Sequence, residues 1–264
     1  MDRLDLPFAH FSTTKDGSNA TSFAWDLDVK LDEGRPLKFF SLLLFREGPV
    51  DNQSIIKELS ARIIDSVRYQ QAILEGNRVS ITPEDFFEQC LQKVNSEIAL
   101  FLKEISAPLP VHSWSMVIGM LGHDEATKRL QFFTSRFGKV TGWLLNNAQL
   151  ETKKLISIFD VPDLLPVHQI PQKFFRNVLA STLPQNDQLF FCTPNLLNYI
   201  SLSEIKHVLS TLSVAAAVKH FENQINFSSS DSLVSGITLK LSPYTISTEQ
   251  PLFQHQPPNV QDSI

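Results

Sequence analysis

The sequence predicts an α+β fold, a four-layer α/β/β/α sandwich of two antiparallel sheets flanked by helices. Two observations predict it. Strand-like runs, apolar or alternating, are separated by turn residues, and each helical stretch carries one apolar stripe. A helix with a single apolar face covers a sheet and turns its other side to water. The sheets must therefore lie inside and the helices outside.

From Thr21 to Leu31 the chain alternates, with Phe23, Trp25, Leu27, Val29 and Leu31 on one face and Ala24, Asp26, Asp28 and Lys30 on the other. That is a half-buried strand. "LKFFSLLLF" (37–45) is apolar on both faces except Ser41, as a central strand is. "DEGRP" between them reads as a hairpin turn. Ile56, Leu59, Ile63 and Val67 then recur at helical spacing, as do Phe87, Leu91, Val94, Ile98, Phe101 and Ile105. Thr82 and Pro83 open the second helix as N-cap and first-turn residue. Next come "HSWSMVIGML", "RLQFFTSR", "KVTGWLLN" and "TKKLISIF", expected to form an antiparallel meander. "KFFRNVLAS" (173–181) is expected to be a short helix and "DQLFFCT" a buried strand. "SLSE" (201–204) is a capping box, Val214, Ala217, Phe221 and Ile225 stripe a last helix, and "DSLVSGITLKL" closes with a strand. The expected domain runs over 1–242. Residues 243–264, rich in Pro, Gln and Ser, are expected to be a disordered tail.

Of the 264 residues, 42% are hydrophobic and 19% charged, a globular balance. The formal charge is -5 and there is no run of Lys or Arg, which argues against nucleic acid as a partner. No apolar run is long enough to span a membrane. The N-terminus lacks a secretory pattern, so a cytoplasmic location is expected. The two cysteines, Cys90 and Cys192, have no metal-ligand spacing and read as buried, reduced residues.

Short stretches stand at the joints of this order: "GSNATSFAW" before the first strand, "FFSLLLFREGP" leading into the helices, "GKVTGWL" (138–144), "CTPNLL" after a buried strand, and "SSDSLVSGITLKL" before the last. Together with the element order they resemble the metal-dependent protein phosphatases of the PPM type, or type 2C serine/threonine phosphatases, from about Phe8 to Leu241. The resemblance implies metal ions held between the two sheets by carboxylates at strand ends, activating water as hydroxide. Matched position by position, most of those acids are missing. Asn19 matches the Asn of the family's Asn-Glu-Asp, but Ala20 and Thr21 stand at its acids. Leu44 falls at the aspartate of Asp-Gly-x-Gly-Gly. In the motif resembling Gly-Asp-Ser-Arg-Ala-Tyr-Leu, Lys139 replaces Asp. Thr193, Pro194, Asn195 and Leu196 stand for Ser-Asp-Gly-Leu, with Pro194 at the metal-binding Asp. Asp231 alone matches an expected acid, and Ser232 follows it in place of Asn.

Asp231 is thus a residual metal ligand or an ordinary loop acid before a strand, and the second reading is preferred. Asp26 and Asp28 read as a solvated strand face. His123, Asp124 and Glu125 read as a hairpin turn, since neighbours on a turn point apart. His112, His207 and His220 have no spaced partner. No G-x-S-x-G, P-loop or dinucleotide fingerprint occurs, and nine glycines leave little for a phosphate-wrapping loop. The expectation is a catalytically inactive phosphatase-like protein with no catalytic residue and no cofactor, acting as a protein-binding or regulatory module on an unknown partner. One alternative is a divergent Mn- or Mg-dependent phosphatase using acids such as Asp26, Asp28, Glu47 or Asp187. Another is an unrelated α/β protein. Lys15 and Lys139 are the first cations to consider if the chain binds phosphate.

Overall fold

The computed structural model of the chain describes residues 4, 6–14, 20–31, 35–47, 52–77, 80–105, 109–124, 129–147, 153–159, 173–227 and 233–241. Asn19, Lys15, Asp231, Ser232, Glu125 and the expected tail 243–264 lie outside them. The described elements run β1 (Phe8–Thr13), β2 (Thr21–Leu31), β3 (Arg35–Phe45), α1 (Asn52–Asn77), α2 (Pro83–Glu104), β4 (Trp114–Asp124), β5 (Arg129–Phe137), β6 (Thr141–Asn146), β7 (Lys154–Ser157), β8 (Leu179–Leu183), β9 (Gln188–Cys192), α3 (Leu202–Thr211), α4 (Val214–Phe227) and β10 (Val234–Lys240). Short 3-10 turns cover Val111–Ser113 and Pro194–Asn198.

Two five-stranded sheets form, ordered β1-β10-β9-β6-β7 and β2-β3-β4-β5-β8. Every pairing is antiparallel. Period-two alternation sorts the side chains into three apolar layers. Phe39, Leu43, Phe45, Met116 and Ile118 of the second sheet pack against Ile56, Leu59, Ile63, Phe87, Val94 and Ile98 of α1 and α2. Phe11, Phe190, Cys192 and Val234 of the first sheet pack against Ile205, Val208, Ala217, Phe221 and Ile225 of α3 and α4. Between the sheets, Phe40, Leu42, Leu44, Val117 and Phe132 face Leu189, Phe191, Ile237 and Leu239. This is the four-layer arrangement expected. No described helix is long and apolar enough to cross a membrane.

The caps form much as the sequence indicates. Thr82 accepts a hydrogen bond from the Asp85 amide, and Ser201 accepts one from the Glu204 amide at 3.2 Å. The Glu204 carboxylate turns instead to His220 on α4, 3.2 Å away, so His220 has a partner that spacing alone did not show. His123 and Asp124 end β4 opposite Leu130 and Arg129, as a hairpin requires.

Three features differ from expectation. The first is β1, an unanticipated strand that pairs with β10. The second is the meander, which is divided: β4 and β5 stay in one sheet while β6 and β7 join the other. The crossing is made at Gly138, whose φ of 74° places it in the left-handed region. A Cβ there would run into the Trp114 carbonyl, so glycine is needed on two counts. The third is "KFFRNVLAS", which is not a helix. Asn95 of α2 takes its backbone groups instead: Oδ1 accepts from the Phe174 and Phe175 amides at 2.9 Å each, and Nδ2 donates to the Phe175 carbonyl at 3.0 Å. Leu179–Leu183 then pairs with β5 as an edge strand. A buried amide that meets three backbone groups outweighs the weak helical preference of nine residues.

Asn95→Leu keeps the approximate side-chain size but strands two buried amides and a carbonyl. It is expected to lower unfolding stability by about 2–4 kcal/mol in urea titrations. A loss under about 0.5 kcal/mol would show that Asn95 is not what holds this segment.

Candidate functional site at the mouth of the sandwich

One end of the sandwich gathers the positions where the resemblance expected acids. There β2 begins, β3 ends, β4 begins, β9 ends and β10 begins. The β2–β3 register sets Thr21 opposite Phe45 and Ser22 opposite Leu44, and Leu44 is also opposite Ser115 of β4. Lys139 lies beside Ser115, whose Oγ accepts from the Lys139 amide at 3.1 Å. From the other sheet, Thr193 and Ser235 exchange backbone and side-chain bonds: the Thr193 amide donates to the Ser235 carbonyl at 2.9 Å, and the Ser235 amide to Thr193 Oγ1 at 3.3 Å. Ala20, Thr21, Leu44, Lys139 and Pro194 therefore stand at or next to strand ends on this side of the sandwich.

Their chemistry is not that of a metal centre. Leu44 is fully buried and joins the inter-sheet core, against which Ala20 also packs. A leucine there contributes about 1.5–3 kcal/mol by burial. An unpaired carboxylate in its place would cost several kcal/mol. Thr193 stands at the N-cap of the next turn without a side-chain capping bond, and its hydroxyl accepts from the Ser235 amide instead. Pro194 opens the 3-10 turn as a first-position residue, and Asn195 Nδ2 donates to the Leu233 carbonyl at 3.0 Å. Hard divalent ions need several converging oxygens and charge compensation. The described residues supply neutral hydroxyls and apolar carbon, which does not fit Mn or Mg. Among them, no group of three or more His, Cys, Asp or Glu is placed to hold a metal ion.

The other candidate acids do not converge. Asp26 and Asp28 both pair with Lys38, at 2.6 and 3.0 Å, and Lys38 is otherwise buried. They form a charge triad and not simply a solvated face. Asp187 is buried at the start of β9, roughly 17 Å along the strand from Cys192 and the mouth. Its Oδ1 accepts from the Asn147 amide, and burial raises its pKa, an effect that bond partly offsets. Glu47 is exposed and lies 3.9 Å from His112. Cys90 and Cys192 are buried and unpaired, as expected, and burial pushes both thiols up.

The mouth holds polar residues that motif matching passed over. His10 of β1 reaches across to the opposite sheet: its Nε2 is 3.2 Å from Ser22 Oγ and 3.2 Å from Ser235 Oγ. Ser235 Oγ donates to the Phe11 carbonyl at 2.8 Å and lies 3.1 Å from Ser22 Oγ. Burial depresses the imidazole to about 4, since neither serine carries a charge that would compensate an imidazolium. A Ser–His contact is part of a nucleophilic pair, but such a pair needs an acid to orient the imidazole. None is bonded to His10 among the described residues. The cluster is a hydrogen-bonded pin between sheets. The alternation of "FAHFST", with Phe8, His10 and Ser12 on one face, was its only sequence signal.

Arg46 follows β3 and continues its ladder, its amide 3.4 Å from the Ser113 carbonyl. Its Nε is buried and has no hydrogen-bond partner. Burial lowers the guanidinium pKa, partly offset by the nearby Glu47 charge.

No protein-family profile matches the sequence, and no curated protein is similar to it. Solved structures are similar in shape. A bacterial serine phosphatase superposes with a TM-score of 0.60 at 12% identity, over 92% of this chain and 100% of its own. The PPM Ser-Thr phosphatase MsPP of Mycobacterium smegmatis, in complex with cacodylate, gives 0.56 at 9% over 92% and 100%. The catalytic domain of the phosphatase PstP, with two manganese ions, gives 0.56 at 12% over 90% and 98%.

The fold is that of the PPM phosphatases. At these identities the likeness is one of architecture. Within that fold, the described residues at the mouth of this chain include a leucine, an alanine, hydroxyls and an inter-sheet imidazole.

The His10 pin makes stability depend on acid. The imidazole takes its proton near 6.5 when unfolded and near 4 when folded. Between these values the unfolded state binds more protons. The His10 contribution is therefore intact above the unfolded value, falls with pH through the window, and has lost roughly 3 kcal/mol at its lower end. Urea unfolding of His10→Gln across the window should show a shallower slope than the wild type. Equal slopes would mean that His10 is not the titrating group.

Proposed function

We propose that this chain is a catalytically inactive PPM-type phosphatase-like protein, a pseudophosphatase that works as a protein-binding or regulatory module in signalling. The observation that carries the reading is Leu44. It sits fully buried at the strand end where the resemblance expects a metal-binding aspartate, in register with Ser22 and Ser115. Ala20, Thr21 and Pro194 support it, for each stands at an expected acid and none can ionise. The metal-hydroxide mechanism of the family has too few ligands among the described residues, so no catalytic step is assigned to this chain. Asp231 is proposed as an ordinary loop acid. A cytoplasmic location belongs to the same proposal, and the unpaired thiols of Cys90 and Cys192 suit it.

Calorimetric titration of the full chain with Mn²⁺, alongside hydrolysis of a phosphoserine peptide, tests the reading. The expected result is no saturable heat up to millimolar Mn²⁺ and no released phosphate. Micromolar binding with metal-dependent hydrolysis, both lost in Asp231→Ala, would establish an active phosphatase instead.

A further inference from the structure

At the end of the sandwich away from the mouth, three strand ends are tied to one residue. Asp187, just before β9, is 0% exposed. Its Oδ1 accepts from the Asn147 amide beyond β6 at 2.9 Å, and its carbonyl accepts from the Leu241 amide beyond β10 at 2.8 Å. Asn147 Nδ2 donates to the Asn186 carbonyl at 2.7 Å, and the Asn186 amide donates to the Leu241 carbonyl at 2.6 Å. Two side-chain oxygens of this cluster are left over, Asp187 Oδ2 and Asn147 Oδ1. Both are buried and neither has a hydrogen-bond partner.

The two leftover atoms have the same polarity. Asn147 spends its Nδ2 on a carbonyl, which fixes its Oδ1 as an acceptor. An ionised Asp187 is acceptor-only as well. Only a donor or a positive charge answers them. The surrounding strands carry few candidates. Lys154 of β7 lies opposite Asn146 and Lys240 of β10 opposite Gln188, and both are exposed. On the facing sheet, Lys38 is held by Asp26 and Asp28, while His123, Asp124 and Arg129 stand at the β4–β5 hairpin. The Asp187 carboxyl responds to burial, which raises its pKa, and to the Asn147 amide bond, which lowers it; neither influence is a neighbouring charge.

We propose that Asp187 keeps a proton on Oδ2 in the folded chain, and that this uncharged acid is a pH-sensitive lock on the ends of β6, β9 and β10. The proton removes a buried charge and turns one leftover acceptor into a donor, for which Asn147 Oδ1 is the acceptor the cluster offers. A water in its place would answer both oxygens and leave the charge buried. The direction is opposite to that of His10. The folded chain holds a proton that the unfolded chain releases in the ordinary carboxylate range, so the contribution of Asp187 is complete at low pH. It is lost as pH rises through the folded value. Acid therefore loosens the mouth, and base loosens the other end.

The test uses the full chain with carbon-13 at the aspartate carboxyls, titrated by NMR from about pH 3 to pH 9. The Asp187 signal is identified by its loss in Asp187→Asn. Asp187 is expected to be the last aspartate to titrate. Above its titration point the Asn147 and Leu241 amides are expected to lose hydrogen-exchange protection, by up to about tenfold per pH unit. Asp187→Asn keeps the shape and carries no charge, so that loss should vanish in it. Titration of Asp187 together with the other aspartates would overturn the proposal. So would ionisation without loss of protection, or an equal loss in Asp187→Asn. Melting is also compared in sodium, potassium, calcium and choline chloride at matched ionic strength, and no difference tied to Asp187 is expected. A cation-specific rise in the wild type that Asp187→Asn lacks would put a bound ion in place of the proton and overturn the proposal too.

Discussion

The structure depends on keeping water from between the two sheets. Phe191 is the hub of that dry layer, with ring centroids 5.6 Å from Phe40, 6.5 Å from Phe132 and 6.0 Å from Phe159. Aromatic side chains of this size each remove on the order of 150–250 Å² from contact with water. Such rings fit only where the facing backbone carries no side chain in the way. At Gly142 a Cβ would come within 2.8 Å of the Phe191 ring, so this strand position is closed to larger residues. The outer helices follow from the same constraint, because each sheet has a second apolar face to cover.

The dry layer reaches the mouth, and this sets the character of the site. A centre of hard cations needs charge and water-accessible oxygens between the sheets. This chain extends the hydrophobic layer through Leu44 and Ala20 and closes the gap with neutral hydrogen bonds. His10, Ser22 and Ser235 span the sheets as a spacer would, without bringing net charge into the interior. Among the described residues at this end, the charged side chains include Arg46, Glu47 and Lys139.

Much of this was legible in the sequence, for physical reasons. The alternation of Phe23 to Leu31 and the unbroken apolar run at 37–45 fix a strand's place in a sheet, because a slip of one residue would invert every side chain. The stripes of α1, α2 and α4 were equally readable. What failed was local reading of segments decided by distant partners. "KFFRNVLAS" looks helical until Asn95, some 80 residues earlier, takes its amides. The meander looks continuous because nothing in Gly138 alone says that the chain changes sheets. At the mouth, missing acids could be read from aligned positions. The His10 pin could not, since Ser235 comes to His10 from the other end of the chain, across 225 residues of sequence.

The pairing of β1 with β10 has a consequence for how the chain is made. Ser235 bonds to Phe11 across 224 residues of sequence, so one edge of the first sheet is joined by the two ends of the described chain. During synthesis, the second sheet and α1 and α2 can assemble from residues 21–183, before β9 and β10 emerge. The strand that carries His10 must wait for β10 to emerge. Until then, its apolar face and that of the half-built first sheet remain uncovered. Long-range pairings of this kind are slow to form and exposed to aggregation while they wait. The last step of folding in this topology is thus also the step that closes the mouth.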